Sequence, residues 1–193
     1  MSENKKPPVQ DACSKGLAGI HLEERLKPEQ IPDLDLYMDQ LITIFEAAMP
    51  HQRRSPDDKL ITKPMINNYI KNRLLPPAQK KKYTRDHLMR ISMLARSKQC
   101  ANLEDIRRVF NALPDNIDPL YPKYLDMAED LDCLIGDFSE QAAERIDSEN
   151  LDSQTAAALT VQMLFEESAA LKRLAEALSD KLLPKTEISK KDK

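Results

Sequence analysis

Glycine is scarce in this chain: there are 3 in 193 residues, alongside 4 phenylalanines, 5 tyrosines and no tryptophan. So few glycines leave hardly any room for a phosphate-cradling loop, and so few aromatics argue against a sandwich or barrel. Long hydrophobic runs are missing as well. No stretch approaches the roughly 20 apolar residues of a membrane helix. The opening "MSENKKPPVQDACSKG" lacks the apolar core of a secretory signal. The cysteines, Cys13, Cys100 and Cys133, are odd in number and widely spaced. That pattern fits reduced thiols in a cytoplasm rather than a disulfide framework.

Catalytic constellations are also missing. His21, His51 and His87 stand apart, and none is paired with Cys, Asp or Glu at metal-ligand spacing. There is no HExxH and no GxSxG. Carboxylate pairs such as Glu23–Glu24 and Asp57–Asp58 read as solvated, and Cys100 and Cys133 as small, buried or half-buried thiols. The expectation is a protein that is not an enzyme and uses no cofactor or metal.

What the chain has is charge and helix-forming residues: 32% charged, 41% hydrophobic, many Leu, Ala, Glu and Lys. That composition predicts an all-α fold. The net charge is −3, yet between His51 and Phe110 there are 15 basic and 5 acidic residues. A basic module inside an acidic chain suits either a nucleic-acid-facing surface or an ordinary solvated face.

Periodicity divides the chain. Residues 1–29 and 184–193 are polar and read as disordered tails. A first helix is predicted from Asp33 to Met49, with Leu34, Met38, Leu41, Ile42, Phe45 and Met49 inward. A second starts at Thr62 as N-cap, with Pro64 at its entry and Met65, Ile66, Tyr69 and Ile70 as its stripe. A third follows Thr84 with Leu88, Ile91, Leu94 and Ala95 inward. A fourth follows Asn102. Residues 119–183 form an acidic helical region, with one helix through Tyr124 to Asp147 and another from Thr155 to Leu183. On the last, Leu164, Leu171, Leu174, Leu178 and Leu182 repeat at near-heptad spacing, serving either a dimer or an intramolecular core.

Between the second and third helices lies "RLLPPAQKKKYT". The prolines fix chain direction, and Lys80, Lys81 and Lys82 form a loop suited to lie along a phosphate backbone or simply to be solvated. Tyr83 either packs on the core or bonds a phosphate. In a helix-turn-helix reading, Asn67 and Asn68 pair with adenine edges, and Lys71 and Arg73 reach guanine or phosphate. Arg53, Arg54 and Lys59 precede this helix on the same basic side. Thr62, Lys63 and Arg85 complete the candidate DNA-binding set.

The series Tyr69, "RLLPP", "YTRDHL" and "NLEDIRRVF", from Thr62 to Phe110, resembles the DNA-binding head of the MerR transcription-regulator superfamily. The resemblance implies a winged helix-turn-helix domain over residues 30–118. Asn67, Asn68, Lys71 and Arg73 would sit on its recognition helix and Lys80 to Lys82 in its wing. There are departures. The short first helix of that head is replaced by a longer one, the wing is short, and Arg73 stands where the turn glycine is usual. The stretch from Ile31 to Gly136 is more closely similar to a bacterial domain-of-unknown-function group, the YkrK-like family. Together these imply a cytoplasmic bacterial transcription regulator acting on double-stranded DNA. Homodimerisation is an open arrangement, ligand sensing by a pocket among the C-terminal helices is a third reading with its small-molecule effector unknown, and no membrane association is indicated. The alternative is a protein-interaction module in which the winged helix is only a scaffold and the acidic helices hold a partner.

Overall fold

The computed structural model describes residues 9–53, 55 and 58–184. The chain is mostly helical, with 66% helix and a two-stranded sheet among the described residues. It divides into two compact units. One holds residues 1–24 and 126–171, the other 25–125 and 172–193.

In the second unit, a 3-10 turn (Pro28–Gln30) leads to strand β1 (Leu36–Tyr37), then α2 (Met38–Ala48) and α3 (Lys63–Lys71). Strand β2 (Lys82–Tyr83), α4 (Arg85–Ser97), α5 (Leu103–Ala112) and the start of α6 (Tyr121–Ser148) follow. Helix α4 is the centre of the core. His87 through Ser92, Leu94 and Ala95 are all buried, so it is covered on more than one face. Around it pack Leu41 and Phe45 of α2, Ile66 and Tyr69 of α3, and Ile106 and Phe110 of α5.

The predicted first helix begins later than expected. Leu36 is buried and Tyr37 exposed, an in–out alternation that suits a strand, and the pair bonds antiparallel to β2 with Leu36 opposite Tyr83. Leu34, expected on the helical stripe, lies outside any helix and is 61% exposed. The helix starts at Met38, where the Gln40 side chain accepts the Tyr37 N–H at 2.9 Å.

Two buried polar side chains tie this unit together. The Arg90 guanidinium binds Asp86 at 2.7 Å and donates to the carbonyls of Pro114 and Asp115, fixing the turn after α5. The fully buried Tyr121 donates its hydroxyl to the Leu26 carbonyl at 2.6 Å, and burial holds its pKa up at about 12. Leu26 itself is fully buried, although it lies in the stretch expected as a tail.

The other unit contains α1 (Val9–Gly19), most of α6 and the first part of α7 (Ser153–Leu182). Helix α1 also falls in the expected tail. Its first two N–H groups, on Val9 and Gln10, donate to the Asp147 carboxylate, a tertiary cap that local sequence cannot announce. Asp152 caps α7 by accepting from Gln154 and Thr155. The leucine row of α7 is exposed in the single chain, from 38% at Leu164 to 67% at Leu182. The expected tail over 185–193 lies outside the described residues.

Tyr121→Phe should lower unfolding stability by about 1–2 kcal/mol, because it leaves the buried Leu26 carbonyl without its donor. Urea unfolding of the two proteins at neutral pH measures the difference.

Candidate nucleic-acid interface

Helix α3 is built to present one polar face. The Thr62 hydroxyl accepts the Met65 N–H at 3.3 Å, capping the helix while Pro64 supplies a residue with no N–H to satisfy. Ile66 and Tyr69 go into the core. Lys63, Asn67 and Lys71 recur every four residues on the exposed side, with Asn68 beside them. Asn68 is partly committed, because its side-chain oxygen accepts from Asn72 at 2.9 Å. Asn67 makes no side-chain hydrogen bond among the described residues, so its whole amide is available.

The helix stops by backbone geometry before the prolines are reached. Arg73 takes φ 58, the Arg73 N–H donates to the Ile70 carbonyl, and the Leu74 N–H returns to the Tyr69 carbonyl at 2.9 Å. This is a Schellman closure with arginine in the left-handed position that glycine usually takes. From α5, Arg107 donates to the Asn72 carbonyl at 3.2 Å, placing a cation at the helix's negative end.

Beyond Pro76 and Pro77 the chain makes a two-residue turn. Gln79 and Lys82 exchange both backbone hydrogen bonds, at 3.0 and 2.9 Å, and Lys80 and Lys81 take φ 49 and 66. Two consecutive left-handed residues define a type I′ turn, normally Asn-Gly. Each costs a non-glycine residue roughly 1–2 kcal/mol. Lys80 and Lys81 are exposed at its tip. Lys82 instead lies with Nζ 5.4 Å from the centre of the Tyr37 ring.

One buried imidazole joins the two ends of this loop. Nε2 of His87 lies 3.1 Å from the Pro76 carbonyl, and Nδ1 accepts from the Thr84 N–H at 3.1 Å and its hydroxyl at 2.8 Å. These partners call for the neutral tautomer protonated on Nε2. Burial lowers the His87 pKa, outweighing the Pro76 carbonyl and the nearby Asp86 carboxylate, which raise it.

The remaining predicted residues are placed differently. Tyr83 is 4% exposed, its ring edge-on to His87, so it packs on the core. The Arg85 guanidinium is occupied by Asp118 and the Ile31 carbonyl. Thr62 is spent on its cap. Lys63 pairs with Asp39 at 2.6 Å and Arg53 with Glu46 at 3.9 Å. Arg54 lies outside the described residues. Arg107 and Arg108, which composition alone counts as basic surface, are held by Glu104, Asp105 and Asp180. Among the described residues, Lys71, Lys80 and Lys81 have no carboxylate partner. Unneutralised charge therefore stands at the end of α3 and on the turn, with Lys59 before α3 also lacking a carboxylate partner.

The chain belongs to a family defined as a domain of unknown function (DUF1836), whose model matches residues 26–124. Neither the curated proteins nor the solved structures contain a match to it. The matched stretch includes β1, α3, the lysine turn and the buried α4.

Because burial lowers the His87 pKa, its contribution to stability is complete above about pH 6.5, the unfolded value. It is lost as pH falls below that, since the unfolded chain takes up the proton first. Thermal melts at pH 7.5 and 5 should show this loss. His87→Gln keeps a donor and an acceptor without titrating, so its melting temperature should fall less over the same interval.

Proposed function

We propose that this chain is a non-catalytic, DNA-binding regulator of transcription whose head works as a small winged helix-turn-helix of MerR type. In this reading α3 enters the major groove and the lysine turn grips phosphate. The observation that carries it is the turn itself. Two exposed lysines occupy left-handed positions that Asn-Gly would fill at lower conformational cost, and strain kept at an exposed cationic tip points to a binding role. The order of elements supports the same reading: a strand, two helices, a tight turn returning to that strand, then two more helices.

The contacts divide by chemistry. Asn67, with its amide free, can give the paired donor and acceptor that an adenine edge requires. Asn68 can do so only by releasing Asn72. Lys71, Lys80 and Lys81 act as point charges on phosphate, each displacing condensed counterions. Arg73 sits between the two groups on a strained backbone. The acidic overall charge does not by itself oppose this, because Asp86, Glu104, Asp105 and Asp118 are paired with Arg90, Arg107, Arg108 and Arg85 inside the head.

The test is the affinity of the full chain for mixed-sequence duplex DNA across a salt series. Lys81→Ala should weaken all sequences alike and flatten the logarithmic salt slope by about one unit. Asn67→Ala should instead erode preference among selected sequences by about 1–3 kcal/mol per lost contact. Absence of binding at low salt would reject the proposal, and equal, sequence-blind losses from both substitutions would reject α3 as the reader.

A further inference from the structure

We infer that the cavity between the end of α3, the two prolines and the turn after α5 binds a small organic monocarboxylate, held by Arg90 through its carboxylate and by apolar walls along its body. The cavity measures about 560 Å3 and is lined by residues of one unit alone, between Ile70 and Asp115. That volume falls within the roughly 300–1,000 Å3 of small-molecule sites. Its walls include Leu74, Phe110 and Leu113, and the exposed Arg73, Asn111 and Asp115 stand at its rim.

Two donors at this cavity have no acceptor among the described residues. The first is on Arg90, whose guanidinium carries five N–H groups. Its Nε donates to Asp86 and its Nη2 to the carbonyls of Pro114 and Asp115, which leaves Nη1 unspent. The Arg90 side chain is only 8% exposed, yet Nη1 retains some access to solvent. The second is the backbone N–H of Leu75, a buried residue that lines the same cavity. Buried donors left alone are rare in folded proteins. Two beside one cavity call for an oxygen acceptor that the chain does not supply.

Charge and shape select that acceptor. Arg73 stands at the rim and Arg90 in the wall, but Asp86 is paired with Arg90 and Asp115 stands at the rim as well. Two positive and two negative groups leave no surplus to hold a dianion such as phosphate. A single carboxylate can take the charge-assisted hydrogen bond from Arg90 without that surplus. The side chains of Leu74, Phe110 and Leu113 then favour an acid with an apolar body over a bare inorganic anion. Water in the same place would satisfy the donors and leave that apolar wall uncovered.

The test follows amide resonances of the isotope-labelled full chain at neutral pH and constant ionic strength, titrated with benzoate, benzamide, benzylamine and inorganic phosphate. Benzoate should shift the Leu75 and Leu113 resonances saturably. Benzamide has the same shape without the charge and should bind about tenfold more weakly. Phosphate and benzylamine should leave both resonances in place. Arg90 also ties the turn after α5, so replacing it would disturb fold and site together, and the exposed rim residues separate the two. Asn111→Asp should weaken benzoate binding severalfold and Asp115→Asn should strengthen it, while each variant melts near the temperature of the unchanged protein. Absence of saturable shifts with benzoate would overturn the inference and leave water as the acceptor. Equal binding of benzamide would overturn it too, as would phosphate moving the same resonances. No DNA enters the titration, so its outcome is independent of the DNA reading.

Discussion

The basic turn is held between two points, the carbonyl of Pro76 and the backbone and hydroxyl of Thr84, and a single neutral imidazole touches both. His87 can do this only because α4 is buried on several sides, which keeps the ring dry and its pKa low. The loop between those points then has little freedom. Pro76 and Pro77 restrict its entry, β1 pairs with its exit strand, and the remaining residues close through a two-residue turn. Left-handed lysines at the tip follow from this geometry: a two-residue connection that matches strand twist requires positive φ at both centres. The frame therefore imposes the strain, and lysines occupy positions that Asn-Gly fills at lower conformational cost.

Much of the head is visible in the order of residues. Thr62 and Asn102 as caps, Ile66 and Tyr69 inward, and Leu88, Ile91, Leu94 and Ala95 facing the core all follow from local pattern. Three features do not. Leu36–Tyr37 forms a strand only because β2 is there to pair with it, and two residues carry too little periodicity to announce that. Helix α1 depends on Asp147, more than 130 positions away. The burial of Met89, Arg90 and Ser92 reflects coverage of α4 from more than one direction, whereas a single amphipathic stripe predicts only one. In each case the deciding contact is distant in sequence.

The candidate site was legible as composition and less so as geometry. Counting basic residues from His51 to Phe110 marks this stretch as basic but overstates its free charge. Arg85, Arg90, Arg107 and Arg108 serve as internal ties to carbonyls and carboxylates. Tyr83 closes the core beneath the turn. Among the described residues, what is left uncommitted includes Asn67, Lys59, Lys71, Lys80 and Lys81, and only pairing geometry distinguishes them from their neighbours. The leucine row of α7 is the reverse case. Its repeat is plain in the sequence, and its leucines are exposed in the single chain.

The central claim is that the turn keeps strained lysines because they bind. Replacing Lys80–Lys81 by Asn-Gly relieves the left-handed strain and removes both charges while preserving the turn. Thermal stability and duplex-DNA affinity should be measured on this one variant. The account predicts a higher melting temperature together with weaker DNA binding and a shallower salt dependence. A stabilised protein whose DNA affinity is unchanged would contradict it.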